Sequence, residues 1–468
     1  MKSFLQRLFP GIFGAPPAPR PPDAVPPSRP LATRPVASPT AAAVSDAEAD
    51  AARVAVGARR PLVAAGGEIA GFEFRIGDDI LRRLSRGSYR RGQAAYVSAV
   101  LTSAHLMVQA GRIGLARVPV DWLLHVKSPD GVAGVWVGLE QVAQAAQDPA
   151  QLQAVMQTVQ QLRTVGAKVG WEMPSVLALE PDFVLLSQGG IPMEAVLAAV
   201  KTWPLELRMR PAVVTDVATL DDLERALLKG IHYACGALAP TAVPSGSKDL
   251  LPVPPEVGRV GHLLRQLVTG AETSVIVSDL KGDVGLSYRL LRRINSASFA
   301  QLNAGASIDQ AVLMLGRNEL YRWLSLLLIQ FAGSRKVSSA LQEVVLWRSR
   351  LLELLAVETH EAAPGQLFTL GLASMLGPIL KISLEDVVST LNLPEPARQA
   401  LLECSGPWFG YLQIVVQLES KGLCESGALA DQFGGSARVQ DLSDEAWAWA
   451  WAAGHADREG ARGASHAT

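Results

Sequence analysis

Cysteine is scarce: Cys235, Cys404 and Cys424 are the three in 468 residues, far apart and without C-x-x-C spacing. That excludes a disulfide framework and a thiolate zinc site, and suits a reducing compartment. An excess of charge is missing as well, since 43 basic against 44 acidic residues leave a formal net charge of -1. No electrostatic case for a nucleic-acid partner follows from that balance. Long apolar runs are also absent. The longest, Trp323 to Ala332, is broken at Gln330 and preceded by Arg322, well short of the roughly 20 residues a bilayer requires. It reads as a core helix, and stable membrane insertion is not expected. The opening MKSFLQRLFPGIFG is positively charged at its start, but Arg7 and Pro10 interrupt its apolar stretch. This argues against a secretory signal and leaves at most a short surface helix on Phe4, Leu5, Leu8 and Phe9. The expected location is cytoplasmic.

What is present suffices for two domains, because 49% of the chain is hydrophobic and 19% charged. Residues 1–60 form a Pro- and Ala-rich stretch, as in PPAPRPPDAVPPSRP, which buries too little apolar surface to offset its ordering entropy and reads as a disordered tail. A second Pro-, Gly- and Ser-rich seam, the linker 241–257, separates residues 61–240 from residues 258–442. Residues 443–468 form a Trp-rich helix and tail.

The first region alternates β-like runs with helices. Leu62 to Ala65 and Ile69 to Ile76 flank Gly66-Gly67, a hairpin signal. A helix over 94–110 precedes extended runs at 113–120 and 132–138. Asp148 and Pro149 open a helix lined by Leu152, Val155, Val159 and Leu162 and stopped by Gly166. Strands at 169–172 and 183–186, a helix at 193–203, strands near 205–209 and 213–217, and a Thr219-capped helix to Lys229 precede a last strand at 231–234. This order predicts a parallel sheet closed as a somewhat short TIM-like barrel.

The second region is helical. Leu286, Leu290, Leu291 and Ile294, then Ile308, Val312 and Leu315, recur at helical spacing, and Ser307 with Gln310 reads as a capping box. The joint placement of Asp283, Asn295, Ser296, Ser307 and Gly316 resembles the HDOD domain, a helical relative of HD-type metal phosphohydrolases with D-P-x-L-x-x-x-L-L-x-x-x-N-S and S-I-x-x-A-I-x-x-L-G segments. Those hydrolases hold metal with a His-Asp pair. Where they read G-L-L-H-D-I-G, this chain has Gly371-Leu372-Ala373-Ser374-Met375-Leu376-Gly377, and Trp347-Arg348-Ser349-Arg350 replaces a W-x-H segment. His262 and His360 stand alone. No metal ligand set is expected, and Ser374-Met375 is expected to pack.

The strand ends of the first region resemble the EAL domain, which hydrolyses cyclic di-GMP with two divalent ions. Gly71-Phe72-Glu73 matches the start of the E-A-L motif, and Val137-Gly138-Leu139-Glu140 keeps one Glu of E-L-T-E. The next positions depart from the family: Val118-Pro119-Val120-Asp121 lacks the metal-binding Asn, Glu172-Met173-Pro174 keeps one carboxylate of D-D-F-G, Leu185-Leu186-Ser187 loses the Lys and Asp, and Thr215-Asp216-Val217 stands at A-E-G-V-E-T. Glu73, Glu140 and Glu172 are therefore vestigial EAL positions that do not make a two-metal site.

A degenerate EAL barrel followed by HDOD resembles the EAL-HDOD signalling proteins of bacteria, as does Ile382 to Leu402. The resemblance implies a non-catalytic regulatory adaptor linked to cyclic di-GMP networks. Its expected partners are proteins and, in a sensing role, cyclic di-GMP, with no cofactor. The alternative is a residual phosphodiesterase using Glu73, Glu140 and Glu172, or a nucleotide sensor. At the carboxyl end, Ser443 is placed to cap SDEAWAWAWAAG. Trp447 and Trp451 share a face and Trp449 points elsewhere. Two of these indoles are expected to anchor the helix to its own domain, with partner docking as the other role.

Overall fold

A computed structural model describes residues 56–465 apart from 87–88, 127–130, 143–147, 174–176, 237–252, 295–306, 331–337, 381, 392 and 421–426. Eight strands close into a barrel in sequence order: β1 Val56–Ala64, β2 Ile69–Ile76, β3 Ile113–Pro119, β4 Trp136–Glu140, β5 Lys168–Glu172, β6 Phe183–Ser187, β7 Ala212–Val217 and β8 Tyr233–Gly236. From β2 to β8 the neighbours are parallel, whereas β1 runs antiparallel to both β2 and β8. The β1–β2 turn needs Gly67, whose φ of 91° lies in the left-handed region that a side chain disfavours.

Helices α1 Asp78–Ser85, α2 Arg90–Gln109, α3 Pro149–Thr164, α4 Met193–Lys201 and α5 Leu220–Leu228 accompany the barrel. Asp148 Oδ1 accepts from the Ala150 N–H at the start of α3, and Thr219 Oγ1 accepts from the Asp222 N–H at the start of α5. Two stretches differ from expectation. β1 begins at Val56, within the stretch assigned to the tail. Leu205–Arg208 is a helical turn rather than a strand: Pro204 sets the turn, with Glu206 early and Arg208 late in it, as the helix dipole favours.

The helical region contains α6 Pro255–Val268, α7 Thr273–Gly282, α8 Val284–Ile294, α9 Ile308–Gln330, α10 Ser338–Thr359, α11 Pro364–Leu380, α12 Leu384–Leu391, α13 Phe409–Ser420 and α14 Ser436–Ser465. The capping box is formed. Gln310 Oε1 accepts from the Ser307 N–H at 2.9 Å, and Ser307 Oγ accepts from the Gln310 N–H at 3.3 Å. Gly316, at φ 68°, breaks α9 before the buried run Trp323 to Ile329. The closing helix starts at Ser436, not after Ser443, because the positive-φ pair Gly434-Gly435 ends the preceding segment while Val439 and Leu442 extend the buried stripe backwards. Ser443 is therefore interior and buried, its hydroxyl accepting from the Trp347 indole N–H at 3.2 Å.

No helix follows β1 to cover the outer face of the β1–β2 hairpin, and the helical region covers it instead. Trp447 stacks on Trp347 with ring centroids 4.8 Å apart and meets Phe72 edge-on at 4.9 Å. Arg59 pairs with Asp444 at 2.7 Å, Arg112 pairs with the buried Glu343 at 2.6 Å, and the Ala340 N–H donates to the Gly67 carbonyl. Burial lowers the Arg59 pKa, and Asp444 opposes that shift.

Candidate functional site in the barrel

Alternation along a strand sends every second side chain into the barrel. The lower interior is an apolar plug of Leu62, Leu115, Trp136, Phe183, Leu185, Val213 and Cys235. Two residues further along in the same phase stand charged groups: Arg60 beside Leu62, Glu73 followed by Arg75 on β2, and Arg117 beyond Leu115. Asp216 joins them by a different device. The β7–β8 register shifts between Val214 and Val217, and Asp216 sits at φ 54°, a left-handed conformation that Asp tolerates better than most side chains.

Arg117 is the hub of these groups. Its Nη1 lies 2.8 Å from Glu73 Oε1 and 2.9 Å from Asp216 Oδ2, and its Nη2 lies 2.6 Å from Glu140 Oε1. Arg60 reaches Asp216 Oδ1 at 2.7 Å, and Arg75 reaches the same oxygen at 3.0 Å while also bridging to Asp78. Ser187 Oγ donates to Asp216 Oδ2 at 3.3 Å. Glu73 is fully buried. Its Oε2 makes no hydrogen bond among the described residues and lies 3.8 Å from Arg60 Nη1.

The electrostatics follow from this packing. Burial by itself would raise the Asp216 carboxyl, but Arg117 and Arg60 outweigh it and hold Asp216 well below the usual carboxylate range. Burial would likewise lower the Arg117 pKa, and the charges of Glu73, Glu140 and Asp216 reverse that and raise it well above the ordinary guanidinium value. Burial and the neighbouring Glu73 charge push the Cys235 thiol up, with Arg60 and Arg117 opposing. Glu172 lies exposed at the rim. Its carboxyl is raised, first by partial desolvation, with Arg117 opposing and Glu140 and Asp216 adding repulsion.

Of the three carboxylates singled out from the sequence, Glu73 and Glu140 meet at one guanidinium, while Glu172 makes no ion pair among the described residues. Arg60, Arg75 and Arg117 did not emerge as site residues, although a signal existed. Charges of both signs occupy the inward phase of three adjacent strands, where cross-strand neighbours must pair. Among the described residues no cluster of three or more His, Cys, Asp and Glu side chains could hold a metal ion.

The helical region has a second buried ion pair. Arg348 donates from Nη2 to Glu419 Oε2 at 2.5 Å, from Nε to Glu419 Oε1 at 3.1 Å and from Nη1 to Ser374 Oγ at 2.9 Å, while Met375 is fully buried. Glu419, 71 residues from Arg348, carried no sequence signal of this partnership. Asp283 starts α8: its Oδ1 accepts from the Leu286 N–H at 3.0 Å, and its Oδ2 pairs with Arg259 at 2.6 Å. Asn295 and Ser296 lie outside the described residues. Trp447 is buried between the two regions, Trp449 is half-buried against Phe368 and Arg322, and Trp451 is the most exposed of the three, over Arg112.

The HDOD domain family matches residues 251–401. The uncharacterized protein YuxH of Bacillus subtilis is 31% identical over 156 residues, covering 33% of this chain and 38% of YuxH. The cyclic di-GMP phosphodiesterase CdgJ of Vibrio cholerae is 34% identical over 126 residues, covering 27% of this chain and 29% of CdgJ. The similarity thus spans well under half the length of both relatives. Among solved structures, an EAL domain protein from Listeria monocytogenes has a TM-score of 0.31 at 15% identity, covering 43% of this chain and 94% of its own. The FimX EAL domain of Xanthomonas citri, solved with c-diGMP, has a TM-score of 0.32 at 13% identity, covering 42% and 93%. An HDOD domain therefore follows an eight-stranded barrel in this chain, and over part of its length the chain is related to YuxH and CdgJ.

Proposed function

We propose that this chain is a non-catalytic signalling protein of the cyclic di-GMP network, acting through protein contacts of its HDOD domain while the barrel serves as a regulatory or sensing module. The relative CdgJ, a cyclic di-GMP phosphodiesterase, supports the link to that network. The observation that carries the absence of turnover is Arg117. Two-metal hydrolysis requires carboxylate oxygens free to grip divalent ions and acidify a water between them. Here the oxygens that converge from Glu73, Glu140 and Asp216 are engaged by a guanidinium 2.6 to 2.9 Å away. A guanidinium does not deprotonate in a protein, so a divalent ion would have to displace a fixed cation. These residues do not fit a pair of metal ions. The HDOD domain supports the same reading, with Ser374 bonded to the Arg348 that pairs with Glu419, and Met375 fully buried.

Incubating the full chain with cyclic di-GMP and Mg²⁺ or Mn²⁺ tests the proposal. The expected result is no linear product. Hydrolysis that disappears in Glu73→Ala would overturn it in favour of a residual phosphodiesterase, the reading favoured by Glu172, which is exposed and makes no ion pair among the described residues. Protein partners are tested by affinity capture with the full chain, compared with a variant disrupted in the HDOD surface.

A further inference from the structure

Residues 59 and 60 are consecutive on β1 and point to opposite sides of the barrel wall. Arg60 enters the interior and pairs with Asp216, while Arg59 leaves it and pairs with Asp444 on α14, each at 2.7 Å. The partner strand repeats the arrangement. Glu73 faces Arg117 inside, and Phe72 carries the Trp447 ring outside. In the β1–β2 register Arg60 lies opposite Glu73 on the inner side, while on the outer side Arg59 lies opposite Phe74 and Pro61 opposite Phe72. The outer contacts are well packed. The Arg59 guanidinium lies 4.1 Å over the Phe72 ring and 5.7 Å from that of Trp447, and Trp447 is stacked on Trp347 of α10.

We propose that the β1–β2 hairpin is a two-faced lever that couples the ion network inside the barrel to the seating of α14, and with it the HDOD domain, on the barrel's outer face. Any shift of the β1 backbone at Arg60 is felt at Arg59, because successive side chains share one backbone and the pleat fixes their alternation. Where loss of the Arg60–Asp216 pair, by substitution or by a ligand at the barrel mouth that competes for the arginines, displaces that backbone, it shifts Arg59 and Phe72 against Asp444 and Trp447. Loosening α14 in turn relaxes the network, since coupling between two sites is reciprocal. The packed contacts give the hairpin distinct seated and unseated arrangements rather than a continuum. The coupling does not depend on the barrel lacking turnover. The phosphodiesterase assay and the measurement below fail independently.

Hydrogen exchange of the full chain tests the lever. In Asp216→Asn the amides of residues 440–450 on α14 are expected to exchange about tenfold faster than in wild type, within the range of ordinary intersite coupling. Arg163→Gln, which breaks the 3.0 Å Arg163–Asp182 pair elsewhere in the barrel, is expected to leave them unchanged. If Asp216→Asn does not fold, Arg60→Lys, which keeps the charge but not the forked geometry, is read the same way. Exchange in 440–450 that stays at the wild-type rate, or that rises equally in Arg163→Gln, overturns the proposal.

Discussion

Replacing Arg117 by Met keeps most of the apolar stem and removes the cation. It leaves Glu73, fully buried, facing Glu140 and Asp216 with no group bridging the three. Removing one partner of a buried ion pair costs roughly 3–5 kcal/mol, because the other charge stays desolvated and unpaired. Arg60 still holds Asp216 at 2.7 Å and lies 3.8 Å from Glu73, so the loss should stay near the middle of that range, about 4 kcal/mol. For a barrel of this size that is a fall in Tm of about 10 °C, read by differential scanning calorimetry and checked by urea denaturation. The pH dependence gives the sharper test. In wild type Asp216 is depressed on folding, so its contribution is fully present above its unfolded value of about 3.9 and disappears as pH falls through the lower folded value. Without Arg117 the depression of Asp216 is smaller, so wild type loses that part of its advantage as pH falls below about 3.9 and the variant's deficit shrinks from pH 6 to pH 3. Mn²⁺ at millimolar concentration should raise the Tm of Arg117→Met and not that of wild type. A loss under about 1 kcal/mol, or a deficit equal at pH 6 and pH 3, would refute the assignment of Arg117 as the hub.

Further outcomes follow from the same packing. Arg348→Met should destabilise the HDOD domain by about 3–5 kcal/mol, by stranding Glu419, whereas Arg348→Met combined with Glu419→Leu should recover most of that loss; urea denaturation followed by tryptophan fluorescence measures both. Gly371→Ala places a Cβ 2.6 Å from the Ser349 Cα, backbone that has nowhere to go, and should cost at least about 1–3 kcal/mol by forcing α10 from α11; a thermal melt reads it. Ser307→Ala removes one bond of the capping box and should cost about 1 kcal/mol in the same melt, with Ser307→Asp restoring it.

The barrel was legible because short apolar runs, buried on both faces as parallel strands are, alternate with helices that carry their own start and stop: Asp148 and Thr219 cap the helices the sequence assigned to them. What was not legible was set by distant partners. Leu205 and Met209 are apolar enough for a strand, yet eight other strands close the barrel and leave these two residues 65% and 75% exposed on a helical turn. Ser443 has the chemistry of a cap, but Trp347, 96 residues away, claims its hydroxyl within a longer helix. For the site, motif comparison singled out Glu73, within β2, and Glu140, the last residue of β4. It missed Arg117, because a search for lost ligands looks for missing anions and not for an added cation. The retained Gly371 is explained by the backbone of α10 lying against it, a packing demand that persists whether or not the residues after it bind metal.

The two regions differ in how their buried charges are balanced. In the HDOD domain Ser374 accepts from Arg348 and Met375 is fully buried in the core. Taking away Arg348 there leaves a single carboxylate, Glu419, and one oxygen-rich wall is too little to coordinate a divalent ion that seeks six or more oxygens. In the barrel the anions remain, converging from three strands, and it is the cation that is supplied by the chain. The barrel therefore gathers three carboxylates around one guanidinium, with Arg60 and Arg75 also engaged, where the HDOD domain offers a single carboxylate. In the lever we propose, whatever competes for Arg117 or Arg60 meets these carboxylates at the hairpin that also carries the surface on which the HDOD domain rests.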